Sequence, residues 1–101
     1  MLEKRVLAYA KTVLDQQSGI WYFKVHGGPF QTAGIPDIVG IYRGLGFGIE
    51  LKTDTGKPTL LQEQTIEQMR AAGGFADIAY GKDGVDKCLK QLLSAQTHLA
   101  H

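Results

Sequence analysis

Apolar residues recur at steps of three and four from Leu2 through Val6, Tyr9, Ala10, Val13 and Leu14. That spacing puts them on one stripe and predicts a helix over residues 2 to about 17, stopped by Ser18-Gly19. The pattern then changes. Ile20-Trp21-Tyr22-Phe23-Lys24-Val25-His26 is rich in aromatic and β-branched residues and predicts a strand. Residues 27–34, with their glycines and a proline, read as a loop. Two further apolar runs follow: Ile35-Pro36-Asp37-Ile38-Val39-Gly40-Ile41-Tyr42 and Phe47-Gly48-Ile49-Glu50-Leu51-Lys52. Joined by Arg43-Gly44-Leu45-Gly46, they predict a hairpin. Pro36 fits the entry of its strand, where a missing N–H is tolerated, and Gly48 marks a bulge or a close backbone approach.

The second half reads in the same way. Thr53 to Pro58 is a polar loop. Thr59 caps a helix over about Leu60 to Ala72, with Gln62 three positions on as capping-box partner. Gly73-Gly74 ends that helix. Phe75-Ala76-Asp77-Ile78-Ala79-Tyr80 predicts a fourth strand. Gly81 to Gly84 reads as a turn, with Asp83 available as a cap. Val85, Cys88, Leu89, Leu92 and Leu93 form the stripe of a last helix. The order α-β-β-β-α-β-α predicts an α/β fold: a mixed four-stranded sheet flanked by helices. One domain over residues 1–95 and a flexible tail over 96–101 are expected.

Composition narrows this little. A chain of 101 residues has room for one core. At 44% hydrophobic and 21% charged it reads as globular rather than disordered. The formal net charge of +1 does not announce nucleic-acid binding, although a basic patch can hide behind an even balance. No apolar stretch is long enough to span a bilayer, and no signal-peptide pattern opens the chain. The single Cys88 offers no internal disulfide and no multi-cysteine metal site. A cytoplasmic protein with no membrane partner is the expectation.

The candidate chemistry lies in the predicted hairpin. Side chains two apart on a strand share a face, so Glu50 and Lys52 lie side by side while Ile49 and Leu51 face the other way. Pairing the two runs brings Asp37 close to both. Singly, each has an ordinary role: Asp37 as a loop residue holding its own backbone, Glu50 and Lys52 as an ion pair of small value. Together they put two carboxylates at one sheet end inside an apolar run, which is costly unless a cation or a proton compensates. Oxygen ligands for a hard cation beside an ammonium suit a phosphodiester. Glu3, in the first turn of the first helix, interacts favourably with the helix N-terminus on its own account. His26 ends a strand before a glycine loop and reads either as an ordinary histidine or as a ligand contact. His98 and His101 sit at the terminus, and Cys88 belongs to an apolar stripe. Neither a Walker A loop nor a dinucleotide-binding glycine motif is present.

Pro36-Asp37 followed by Glu50-Leu51-Lys52 resembles the signature of the PD-(D/E)XK nucleases. Gly34-Ile35-Pro36-Asp37, Ile49-Glu50-Leu51-Lys52 and Gly56-Lys57-Pro58-Thr59-Leu60-Leu61-Gln62 together resemble the virus-type replication-repair nuclease (VRR-NUC) branch, over roughly residues 2 to 93. The resemblance implies Mg²⁺ or Mn²⁺ bound by Asp37, Glu50, the Leu51 carbonyl and Glu3, which matches the family's glutamate on the first helix. It implies that Lys52 orients the attacking water or stabilises charge on the phosphate; service as a base would need a strongly lowered lysine pKa. Gln62 matches the family's glutamine and is expected to position Lys52 or the phosphate. Lys24, His26, Arg43 and Lys57 are expected contacts to the nucleic-acid backbone. The function implied is a structure-selective DNA endonuclease acting on branched DNA, a Holliday junction resolvase working as a homodimer. The alternatives are a non-catalytic nucleic-acid-binding or assembly module, or a nuclease for flaps, simple duplex or RNA.

Overall fold

The first helical stripe becomes α1, Glu3–Asp15, which buries Val6, Ala10 and Leu14 at steps of four. The structure is a computed structural model, and it describes residues 3–26 and 33–99. Leu2, most of the loop after the first strand (residues 27–32) and residues 100 and 101 lie outside the described residues. Strand β1 is Ile20–Lys24, shorter than expected by two residues, although the Val25 N–H still donates to the Asp37 carbonyl at 2.8 Å. Strands β2, Ile38–Tyr42, and β3, Leu45–Lys52, form the expected hairpin. Its connection is Arg43-Gly44 alone, with both residues at positive φ, 45° and 89°. Two such residues make the tight turn whose twist matches paired strands.

Helix α2, Leu60–Ala71, begins at Thr59, and the expected capping box is formed in full with Gln62. It links β3 to β4, Phe75–Tyr80, which runs parallel to β3. A parallel neighbour needs such a crossover. The sheet order is β1-β2-β3-β4, with β1–β2 and β2–β3 antiparallel.

Helix α3, Gly81–Leu99, corrects two expectations. The turn expected at residues 81–84 is its first turn, so Asp83 lies inside the helix and not before it. The helix also continues past residue 96, where a tail was expected to begin. Gly81 is the pivot at its start. It takes φ +65°, is buried, and has the Asp54 carboxylate against the place a Cβ would occupy. Only glycine adopts that geometry without cost.

The core lies between one sheet face and helices α1 and α3. Phe47, Ile49 and Leu51 of β3 cluster there with Val6, Leu14, Val85 and Leu92. Alternation sends Gly48 and Glu50 to the opposite face, where α2 lies. A Cβ on Gly48 would stand 2.7 Å from Met69 Cε and 3.0 Å from Pro36 Cγ, so this glycine serves close approach of the helix, with no bulge. Arg70 ties α2 to the sheet edge: its Nε donates to the Ala76 carbonyl at 2.9 Å. Among the described residues no helix is long and apolar enough to cross a membrane.

Candidate metal centre

The hairpin register decides where the acids meet. Ile38 pairs with Ile49, so Asp37, one step before, stands opposite Glu50, one step after. The Leu51 N–H donates to Asp37 Oδ2 at 2.8 Å, which locks this carboxylate onto the adjoining strand. Glu3 arrives from the first turn of α1. One carboxylate oxygen from each of Glu3, Asp37 and Glu50 lies within 4.8 Å of the others. Glu3, Asp37 and Leu51, with Lys4, Leu7 and Lys24, line a cleft of about 150 Å³. Three larger grooves, two of about 630 Å³ and one of about 230 Å³, lie elsewhere on the molecule. None of them gathers three carboxylates, so the chemistry points to the smaller cleft.

Glu50 is the buried member, 2% exposed. Its Oε2 accepts from Gln62 Nε2 at 2.8 Å and lies 3.4 Å from Lys52 Nζ. Its Oε1 is buried and has no hydrogen-bond partner among the described residues. A buried carboxylate oxygen without a partner costs free energy in the absence of a ligand. Burial, first, and the Asp37 charge, second, push the Glu50 carboxyl up to about 7, against the opposing pull of Lys52. A divalent cation would supply the missing partner and offset the repulsion between the acids. Three carboxylates and no sulfur or imidazole form a hard-oxygen donor set of the kind Mg²⁺ and Mn²⁺ take. The residues present therefore fit such an ion.

The expected site residues separate into two groups. Glu3, Asp37, Glu50, Leu51, Lys52 and Gln62 are brought together. Gln62 does so differently from expectation. Its Oε1 accepts from the Thr59 N–H at 2.8 Å while its Nε2 holds Glu50. It thus closes the capping box and positions the acid, not the lysine. Lys24 also joins the site, 3.8 Å from Asp37 Oδ1. Arg43 does not. It sits at the other end of the hairpin, where its Nη2 donates to Ser18 Oγ at 3.3 Å and its carbonyl accepts from Gln96 at 3.1 Å. His26 and Lys57 are exposed in the segments flanking β1 and α2. Sequence reasoning misses Lys4 as a wall of the cleft; its place beside Glu3 in the first helical turn is the signal available.

No protein-family model and no curated protein matches the chain. Solved structures do. One described as a VRR_NUC domain superposes with a TM-score of 0.72 at 28% identity, covering 87% of this chain and 94% of its own. A second, a VRR_NUC domain protein, gives 0.73 at 22% identity, covering 94% and 90%. The Holliday junction resolvase Hjc of Archaeoglobus fulgidus is similar at lower overlap, TM-score 0.56 and 23% identity, covering 77% of this chain and 67% of Hjc.

Proposed function

Since the chain is a VRR-NUC domain, a nuclease fold of the PD-(D/E)XK type, we propose that it is a divalent-metal-dependent, structure-selective DNA endonuclease. The observation that carries this reading is the buried Glu50 Oε1, without a partner among the described residues, on a carboxylate that clusters with those of Glu3 and Asp37. Asp37, Glu50 and Glu3, with the Leu51 carbonyl, would hold Mg²⁺ or Mn²⁺. When bound, such an ion lowers the pKa of water and offsets charge on a phosphodiester.

The chain's own residues do the rest. The Leu51 N–H fixes one oxygen of Asp37 and so sets the direction of the other. Gln62 and Lys52 occupy Glu50 Oε2 and leave Oε1 as the ligand atom. An ammonium carries three donors. Lys52 directs one toward Glu50 and has others for a phosphate oxygen or the attacking water. There it stabilises negative charge that grows as the bond to phosphorus forms.

The proposed substrate is a four-way DNA junction and the working unit a homodimer. Resolving a junction takes two cuts on strands related by near two-fold symmetry. A single acidic cluster is found among the described residues, and a two-fold dimer supplies a second in matching relation. The fold shared with Hjc supports this choice of substrate. Labelled four-way junctions, flaps, forks, duplex and single strands, of DNA and of RNA, are incubated with the purified protein and Mg²⁺ or Mn²⁺. Paired cuts in the junction, abolished by EDTA, are expected. Undiminished cutting in EDTA sinks the metal mechanism, and preferred cutting of another substrate replaces the junction.

A further inference from the structure

The acid cluster has two sides. On one, Lys52 and Gln62 lie against Glu50 Oε2. On the other is the cleft of about 150 Å³, walled by Glu3, Lys4 and Leu7 of α1, Lys24 of β1, Asp37 and Leu51. Neither Lys52 nor Gln62 lines it. Its volume takes roughly five waters, enough for a phosphate group with part of its hydration. The two lysines of the cleft are placed differently. Lys24 is engaged within the protein: its Nζ donates to the Val25 carbonyl and lies 3.8 Å from Asp37 Oδ1. Lys4 is exposed and enters none of the ion pairs found among the described residues. Its own helix gives it no partner either, because the positions three and four ahead are Leu7 and Ala8. A cation in the first turn also faces the positive end of the helix dipole, which disfavours it. Lys4 thus holds a place that local helix energetics oppose, and an anion in the cleft would offset that cost.

We propose that Lys4 is a substrate-binding residue: its ammonium takes the phosphate next to the scissile one, and the cleft between α1 and β1 is a second phosphate subsite. The subsite rests on the nuclease reading above and names the part of the substrate it holds. Glu3 is a metal ligand in that reading, and Lys4 is the next residue, its Cα about 3.8 Å away. A flexible four-carbon stem carries the Lys4 charge past the metal, toward the next phosphate along the strand. Leu7, one turn on, lines the same wall and offers that stem an apolar surface. Charge also calls for a cation at this rim. Three clustered carboxylates repel a polyanion, and an ammonium where the strand enters offsets the repulsion. A phosphate fits the cleft better than a base does. Among the described residues no aromatic side chain lines it, so a base has nothing to stack on.

The test neutralises phosphates one at a time. A labelled four-way DNA junction is made with an uncharged methylphosphonate at each position flanking the cut in turn. Affinity is read by fluorescence anisotropy in EDTA and with Ca²⁺, and cleavage with Mg²⁺. Wild type is compared with Lys4→Ala, Lys4→Arg and Lys90→Ala, the last an exposed lysine of α3 on another groove. Lys4→Ala is expected to keep the thermal midpoint, weaken binding and raise KM about tenfold, the scale of one charge-assisted hydrogen bond, with kcat within about twofold. Its affinity should also fall less steeply with salt, by about one counterion. One flanking methylphosphonate is expected to cost wild type about tenfold and to cost Lys4→Ala nothing more, the mark of a direct pair. Lys4→Arg is expected to restore affinity, and Lys90→Ala to show the same methylphosphonate loss as wild type.

Equal affinity of Lys4→Ala and wild type, while metal-dependent cutting persists, overturns the subsite and leaves the nuclease reading standing. A Lys4→Ala loss that combines additively with every methylphosphonate makes Lys4 a general surface charge and overturns the subsite in the same way. Tighter Mg²⁺ binding by Lys4→Ala in calorimetry, with DNA affinity unchanged, makes Lys4 a counter-charge to the acids and also overturns it. A wild type that cuts nothing with metal overturns the nuclease reading, and the subsite with it.

Discussion

The two central carboxylates are held in opposite ways. Asp37 has a backbone N–H fixed on one oxygen and partial exposure. Glu50 is buried, with one oxygen satisfied and one without a partner among the described residues. Asp37→Asn is expected to lower the rate of cleavage at least about 100-fold, the scale of losing a charged group that acts on the transition state. It should also weaken metal binding in calorimetry. Lys52→Ala should lose turnover to a similar degree while binding metal nearly as well, because in the proposed mechanism the ammonium would act on the water and phosphate side. Full activity in Asp37→Asn would discard the proposed ligand set. Glu50 also makes stability depend on pH. Its carboxyl has an ordinary value of 4.5 and sits at about 7 in the native protein. Between those values the unfolded chain gives up a proton that the native state keeps. This group's contribution is therefore full below about 4.5, falls as pH rises through 7, and is flat beyond. The loss is on the order of 3 kcal/mol. Urea unfolding of metal-free protein across that range should show a slope in wild type that Glu50→Gln removes, with the variant no less stable at pH 8. A markedly destabilised Glu50→Gln would make Glu50 a structural partner.

Strands and helices set the site through their ends. The Arg43-Gly44 turn fixes the hairpin register, and the register alone places Asp37 opposite Glu50. The Thr59 cap fixes the first turn of α2, and that turn delivers Gln62. Gly81 does the same for α3, which supplies Val85, Cys88 and Leu92 to the core. Its positive φ and the Asp54 carboxylate leave no place for a methyl group. Gly81→Ala is therefore expected to destabilise the fold by about 1–3 kcal/mol, the cost of a strained backbone conformation. Chemical denaturation measures it, and an unchanged midpoint would show that the start of α3 can shift without loss.

Across the full fold, the three acids come from α1, the residue before β2, and β3, so the cluster exists only when the chain is folded. Any ion held there binds the native state and not the unfolded one. Mg²⁺ or Mn²⁺ at 100 times its dissociation constant should then add about 2.7 kcal/mol of stability and raise the melting temperature. Asp37→Asn should abolish most of that rise. An equal metal response in wild type and variant would place the ion elsewhere.

Local pattern carried the element order. The three-and-four spacing of Val6, Ala10 and Leu14, the apolar runs on either side of the hairpin turn, and the Thr59–Gln62 box all depend on near neighbours, and all appear where the periods place them. The two-residue period of a strand already put Glu50 and Lys52 on one face, and the structure finds them 3.4 Å apart. What depends on distant segments was not legible in this way. Gly81 and Gly84 look like a turn because glycine disfavours helix, yet the packing of Val85 and Leu92 holds a helix there. Arg43 carries the same charge as Lys24, but strand direction sends one to the far end of the hairpin and the other to Asp37. Nor does the residue string say that Gln62 turns to Glu50 instead of Lys52, or that Glu50 Oε1 ends up buried with no partner among the described residues. Those are outcomes of how α2 lies across the sheet. A side chain's partners and its access to water are properties of the packed chain, and spacing along the sequence sets only which face it starts from.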